Sequence, residues 1–184
     1  MVALDGSAFA ETVLTPAASL SAALSAPHPG ALHLVRILRL PTAFEYGQHD
    51  RLARARTEGT REAQTYLRTL EQRFHEGELA RFHLQVTSSV DYDLDVAHRL
   101  LTLAWNDLGE DDVVGCDMIA LATHGRSGVA RWVRGSVAER ILGATSLPLL
   151  MVRPGKEPFL AQGPDGAAEA TREEASDSPW GALL

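Results

Sequence analysis

Apolar and polar residues alternate along the chain in blocks that predict strands and helices in turn. Short apolar or alternating runs predict strands, and apolar residues at every third or fourth position predict helices. The predicted strands are residues 2–4, 32–38, 81–86, 118–121 and 147–152. The predicted helices are residues 8–25, 52–74, 93–105 and 133–144. The predicted order is therefore β-α-β-α-β-α-β-α-β.

This order predicts an α/β fold, a single open parallel five-stranded sheet with helices on both faces. Parallel neighbours need crossover connections, and those connections are nearly always right-handed. In such Rossmann-like sheets, ligands bind beyond the carboxyl ends of the strands, where the strand order reverses. Asp5-Gly6-Ser7 follows the first predicted strand and Thr123-His124-Gly125 follows the fourth. We expect these two polar clusters at the same edge of the sheet.

The loop after the fourth strand has the composition of an anion-binding loop. Residues 122–128 read Ala-Thr-His-Gly-Arg-Ser-Gly, and Gly135-Ser136 stands where the next helix begins. Glycine lets backbone N–H groups approach an anion without a Cβ in the way. A helix start adds free N–H donors and the positive end of the helix dipole. The loop therefore predicts a nucleotide or another phosphorylated ligand.

Composition narrows the function classes. The chain has 184 residues, 45% of them apolar, and this suits one compact domain. Its formal charge of −7, from 17 basic and 24 acidic residues, argues against a general nucleic-acid binder and against docking on anionic lipid. The single cysteine, Cys116, rules out an intrachain disulfide and a CxxC site, and suits a reducing compartment. With no apolar run long enough to span a bilayer, we interpret the protein as cytoplasmic.

The two ends of the chain differ from the middle. The apolar run at residues 2–4 is short for a buried strand, which leaves open whether the natural N-terminus lies upstream. Residues 155–184 are rich in Gly, Ala, Pro, Glu and Ser, with six acidic residues against two basic ones. Such a segment has too few apolar side chains to offset the entropy of ordering it. We therefore predict a domain at residues 1–154 and a disordered acidic tail at residues 155–184.

Several catalytic motifs are missing from the sequence. It contains no GxxxxGK[ST] loop, no GxSxG elbow and no HExxH pair. His124 has no cysteine, aspartate or second histidine paired with it in sequence, which favours a loop-fixing hydrogen bond over acid-base catalysis. The acidic run at residues 110–112 has no second ligand cluster at metal spacing. The sequence therefore predicts neither a catalytic residue nor a metal site, and strong phosphoryl-transfer catalysis is hard to assemble from these residues.

On these residues the chain resembles a universal stress protein of the UspA type. Nucleotide-binding members of that family carry the pattern G-x2-G-x9-G-[ST]. The matching positions here are Ala122, Gly125, Gly135 and Ser136, so that alanine replaces the first glycine. The resemblance runs from Val2 to about Arg153, and it includes the opening Leu-Asp-Gly-Ser and the closing Leu-Pro-Leu-Leu-Met-Val.

The resemblance implies ATP as the ligand, with or without Mg²⁺. It implies that Asp5 accepts hydrogen bonds from the ribose hydroxyls or the adenine amine, and that Ala3 and Ile37 line the adenine pocket. The remaining residues implied to bind the nucleotide lie in or beside the phosphate loop: Ala122, His124, Gly125, Arg126, Gly128, Gly135, Ser136 and Val137.

The function that this resemblance implies is regulatory. We expect an ATP-binding protein of the stress response with slow or no hydrolysis, and a homodimer formed through the last strand, residues 147–152, because an apolar edge strand invites pairing with a second copy. Two alternatives remain. One is a nucleotide-independent interaction module of the same fold, which Ala122 favours. The other is an enzyme related to the adenine nucleotide α-hydrolases. Such an enzyme needs an SGGxDS-like pyrophosphate-binding loop after the first strand, and Asp5-Gly6-Ser7 is too short a match to it.

Overall fold

A computed structural model of the protein describes residues 1–39, 49–105, 115–123 and 137–153. Five strands lie in this part of the chain: β1 Val2–Ala3, β2 Ala31–Arg39, β3 Gln85–Asp93, β4 Ile119–Ala122 and β5 Leu149–Val152. The helices are α1 Ala8–Glu11, α2 Leu14–Ser25, α3 His49–His75, α4 Val96–Trp105 and α5 Val137–Ala144, with a 3₁₀ turn at Ala80–Phe82. None of the described helices is long and apolar enough to cross a membrane.

The five strands form one parallel sheet in the order β3-β2-β1-β4-β5. From β1 the chain moves outward through β2 to β3, then returns to place β4 and β5 on the other side of β1. The strand order therefore reverses between β1 and β4. This architecture confirms the predicted α/β fold with a single five-stranded parallel sheet.

Side chains that alternate along the strands build two cores, one on each face of the sheet. Val2, Leu34 and Ala120 belong to the first core, which packs against α1, α2 and α3. Their neighbours Val35 and Ile119 belong to the second core, which packs against α4 and α5. The period of two places successive side chains on opposite faces, so burial on both sides explains why the central strands are almost wholly apolar.

The third strand lies later in the chain than predicted. The sequence predicts a strand at residues 81–86, but Ala80–Phe82 is a 3₁₀ turn, His83 is left-handed at φ 51° and β3 begins at Gln85. β3 is an edge strand paired along its whole length with β2. An edge strand needs fewer apolar side chains. The polar residues at 87–89 interrupt the apolar pattern, so that pattern did not predict a strand there.

The helix predicted at residues 8–25 is two helices, because α1 ends at Glu11 and α2 begins at Leu14. Pro16 has no N–H to donate to the Thr12 carbonyl, so a continuous helix would lose that hydrogen bond. The Thr12 hydroxyl also donates to the Phe9 carbonyl at 2.7 Å and closes the first helix. The other predicted elements are present with shifted ends. Predictions for residues 124–136 and 155–184 lie outside the described residues.

Candidate functional site

The crevice where the strand order reverses is flanked by the ends of β1 and β4. Val2 pairs with Ala120, which sets these two strands side by side. Beyond β1, the Leu4 amide donates to the Val35 carbonyl at 2.9 Å and leads into the loop at residues 5–7. Beyond β4, the Thr123 amide donates to the Val152 carbonyl at 2.9 Å. The two polar clusters predicted from sequence therefore follow neighbouring strands, at the edge where open α/β sheets bind their ligands.

The loop after β1 is held by two local hydrogen bonds. The Asp5 Oδ1 accepts from the Ser7 amide at 2.8 Å, and the Ser7 Oγ accepts from the Ala10 amide at 3.1 Å as the N-cap of α1. Between them, Gly6 has a φ of +90°, a conformation that favours glycine. The exposed Asp5 carboxylate is thereby fixed at the end of β1, beside the crevice.

The described candidate residues lie on three neighbouring strands and one helix. Ala3 on β1 and Ile37 on β2 are partly buried against the second core, on the same face of the sheet. Ala122, at the end of β4, packs against the first core, on the opposite face. Val137 begins α5 and is 38% exposed. The structure thus brings Ala3, Ile37 and Ala122 to adjacent strands, but it separates the methyl group of Ala122 from the other two.

The remaining candidate residues are outside the described part of the chain. They follow β4 in the sequence and precede Val137: His124, Gly125, Arg126, Gly128, Gly135 and Ser136. Their assignment to a phosphate loop stays a prediction from sequence. The described residues that flank this segment are Thr123, directly after β4, and Val137, the first described residue of α5.

Beside the crevice the structure reveals Arg36, which the sequence reasoning missed. Its guanidinium lies 5.4 Å from the centroid of the Tyr66 ring. The Tyr66 hydroxyl is buried and makes no hydrogen bond of ordinary geometry to a described residue. Burial raises the pKa of Tyr66, and the nearby Glu11 carboxylate raises it further. A positive charge inside the apolar run at residues 34–38 was the signal in the sequence that could have identified this cluster.

A second polar cluster ties α3 to α1 near this point. The Arg73 guanidinium donates to the Glu11 carboxylate at 2.7 Å and pairs with Glu78 at 2.6 Å. These carboxylates raise the pKa of Arg73 against the opposing effect of its burial, which is the largest single influence. Glu11 therefore links Arg73 of α3 with Tyr66, the residue that contacts Arg36.

Ionic contacts also join α5 to α4 at the carboxyl edge of the sheet. The Asp95 carboxylate accepts from the His98 amide at 3.1 Å, and it pairs with Arg140 of α5. The hydrogen bond from Arg140 holds the pKa of Asp95 below its usual value. Asp91 of β3 pairs with Arg99 of α4 at 2.6 Å. The helix that follows the predicted phosphate loop is thereby attached to the start of α4.

Within the described ranges, no group of three His, Cys, Asp or Glu side chains is arranged to hold a metal ion. Two open depressions of about 400 and 320 Å³ lie on α3, the larger around Tyr66 and Thr69 and the smaller between Arg68 and Ser89. Neither includes Ala3, Asp5 or Ile37, so neither adds a reactive group to the crevice.

Part of the chain matches the model of a known protein family. Residues 108–153 match the model of the universal stress protein family, a segment that runs from before β4 to the end of β5. No curated protein matches the chain.

Solved structures extend the likeness to most of the fold. A universal stress family protein from Burkholderia pseudomallei is 27% identical, with a TM-score of 0.53 over 82% of this chain and 92% of that one. UspA from Lactobacillus plantarum, at 16% identity, has a TM-score of 0.60 over 83% and 94%. A universal stress protein in complex with cAMP, also at 16% identity, has a TM-score of 0.55 over 83% and 93%. The chain therefore has the fold of solved universal stress proteins and carries a segment that matches that family's model.

Proposed function

We propose that the protein is a nucleotide-binding universal stress protein that holds ATP in the crevice between β1 and β4. The single observation that carries this proposal is that the polar turn after β1 and the end of β4 lie side by side where the strand order reverses. The turn presents a fixed carboxylate, and Thr123 after β4 leads into a sequence suited to phosphates. Together these would bind the two ends of a nucleotide.

The adenine and ribose would bind on the side of β1 and β2. Ala3 and Ile37 share a face of the sheet and offer small and medium-sized apolar contacts. Asp5, at the end of the same strand, would accept hydrogen bonds from ribose hydroxyls or the adenine amine. Its Oδ1 already accepts from the Ser7 amide, so the carboxylate is oriented before the ligand arrives.

The phosphates would bind at the glycine-rich loop. Gly125, Arg126, Gly128, Gly135 and Ser136 would supply backbone N–H groups, a cation and a hydroxyl, with Mg²⁺ arriving as part of the nucleotide. In the family pattern, alanine replaces the first glycine at Ala122. The methyl group of Ala122 packs into the first core, on the face away from Ala3 and Ile37. This packing supports the proposal, because the extra methyl group then leaves the adenine side open.

The consequence of binding would be regulatory. The sequence lacks the lysine that steadies the β- and γ-phosphates in P-loop enzymes, so hydrolysis would be slow or absent. Occupancy would instead change the segment from Gly125 to Gly135 and hence a surface that binds a partner in the stress response. We place this activity in the cytoplasm, in line with the single cysteine of the chain.

The test is calorimetric titration with Mg-ATP and, separately, with cAMP, the ligand of one protein of the same fold. The wild type is expected to bind with micromolar affinity. Asp5→Asn keeps an oxygen for the Ser7 amide but loses the charge, and it is expected to weaken binding by about tenfold or more. Asp117→Asn, an exposed residue before the amino end of β4, is the matched control. Gly135→Glu, which adds a carboxylate to the predicted phosphate loop, is expected to abolish binding.

Either of two results would refute the proposal. If the wild type gives neither heat nor a thermal shift, the chain is the nucleotide-independent interaction module of the same fold. If Asp5→Asn and Asp117→Asn bind ATP equally well, the nucleotide lies elsewhere on the molecule.

We also propose a homodimer through residues 147–152. β5 is an edge strand, and Met151 on it is 38% exposed. An unpaired apolar edge is stabilised by pairing with a second copy. Light scattering at micromolar concentration is expected to give a dimer for the wild type and a monomer for Met151→Lys. Leu24→Lys, at a 70% exposed position on α2, is the control that stays dimeric. A monomeric wild type would rule the dimer out.

A further inference from the structure

The flat face of the Arg36 guanidinium covers Gly6. A Cβ built on Gly6 would lie 2.8 Å from the Arg36 Cζ, 2.8 Å from one terminal nitrogen and 2.9 Å from the other. Three nearly equal distances to atoms of one planar group place that position above the plane of the group, not beyond its edge. The guanidinium is therefore stacked on the turn between Asp5 and Ser7, in space that any side chain at residue 6 would occupy.

The Arg36 side chain is also contacted from α3. Its Cζ lies 5.4 Å from the centroid of the Tyr66 ring, within reach of a cation–π interaction. Tyr66 is in turn close to Glu11, which Arg73 holds at 2.7 Å. A continuous series of contacts thus runs from α3, through Tyr66 and Arg36, to the loop that carries Asp5.

We propose that Arg36 is a positioning residue for the nucleotide site. Its guanidinium, which covers the Gly6 turn and makes a cation–π contact with Tyr66, keeps the loop in the conformation in which the Asp5 carboxylate accepts from the Ser7 amide. Gly6 needs its φ of +90° for this turn, and a glycine there is otherwise free to leave that conformation. Arg36 removes the freedom by occupying the space above it. The effect on ATP rests on the proposed function, whereas the effect on the loop does not.

The planar shape of the guanidinium, more than its charge, is what the geometry uses. Lysine carries the same charge on a compact ammonium that cannot stack flat on a backbone turn. Arg36→Lys therefore keeps the electrostatics and removes the stacking, and Arg36→Met removes both. If charge alone mattered, the lysine variant would behave as the wild type does.

The first measurement is amide hydrogen exchange by NMR on the ligand-free protein. Ser7 and Ala10 report on the loop, because their amides donate to Asp5 and Ser7. In both Arg36→Lys and Arg36→Met, these two amides are expected to exchange about tenfold faster, since the loop opens locally more often. Core amides in β2 and β4 are expected to be unchanged. Arg54→Met, an exposed arginine on α3, is the control expected to leave Ser7 and Ala10 as they are.

The second measurement is ATP affinity with a double-mutant cycle. Both Arg36 variants are expected to bind about tenfold more weakly, and Asp5→Asn is expected to cost less in the Arg36→Met background than in the wild type. A purely structural role would give additive losses. Unchanged exchange at Ser7 and Ala10, or a lysine variant equal to the wild type in exchange, would overturn the positioning role. If the loop opens as expected but the wild type binds no nucleotide, the proposed function fails while the action of Arg36 on the loop stands.

Discussion

The same substitution at two glycines should change stability in opposite directions. At Gly6 an alanine would adopt a φ of +90°, which costs an L residue about 1–2 kcal/mol. Its Cβ would also displace the Arg36 guanidinium, 2.8 Å away, and lose about 0.5–1 kcal/mol of contact with Tyr66. At Gly59, within α3, the new Cβ would meet the nearest atom, the Leu38 Cδ1, at an ordinary 3.8 Å. Alanine there gains about 1 kcal/mol of helix propensity.

The assay is urea unfolding followed by circular dichroism, with melting temperatures as a check. Gly6→Ala is expected to lose about 2 kcal/mol, or about 4–8 °C in melting temperature, and Gly59→Ala to gain about 2–4 °C. In an Arg36→Ser background, Gly6→Ala should cost only the conformational part, because the clash is gone. A Gly6→Ala variant as stable as the wild type would refute the stacked geometry, and so would an equal cost in both backgrounds.

Three other predictions follow from burial and charge. Leu67→Ala, at a position 1% exposed, is expected to lower the free energy of unfolding by about 2–5 kcal/mol, whereas Leu142→Ala, at 44% exposure, should change it by less than about 0.5 kcal/mol in urea unfolding. Burial lowers the pKa of His33 below its usual 6.5, so the unfolded chain binds a proton at a higher pH than the folded protein does. The free energy of unfolding should therefore fall as the pH drops below 6.5. Urea midpoints measured across this pH range should fall less for His33→Gln than for the wild type. Asp95→Asn keeps a helix-capping oxygen but loses its ion pair with Arg140, so its melting temperature should fall more in low salt than in high salt.

Much of the fold could be predicted because its strands are buried on both faces. β2, β4 and β5 form from almost continuous apolar segments. These segments lack the three- and four-residue spacing of apolar positions that predicts a helix. β3 was predicted too early because an edge strand carries polar residues such as Ser88 and Ser89, and their pattern resembles a loop. The break after α1 was not predicted, because it depends on the missing N–H of Pro16 within an otherwise regular helical pattern.

The candidate site could be predicted only in part. That Asp5 and the end of β4 lie at the same edge of the sheet could be predicted, because the carboxyl ends of parallel strands share one edge. The stacking of the Arg36 guanidinium on Gly6 joins two residues 30 positions apart in sequence, and no local pattern encodes such a contact. Likewise, the packing of the Ala122 methyl group into the first core depends on which face of β4 it occupies.

The most direct test of the nucleotide site is an NMR titration of the isotopically labelled protein with Mg-ATP, following every assigned backbone amide. Binding at the crevice is expected to shift the amides of Ala3, Gly6 and Ser7 on one side and of Thr123 on the other. The Ile37 amide should shift as the adenine packs, and the amides of β3, at the far edge of the sheet, should not. Saturating ATP that shifts no amide of the crevice, or only those of β3 and the outer surface of α3, would rule out a nucleotide site at the crevice.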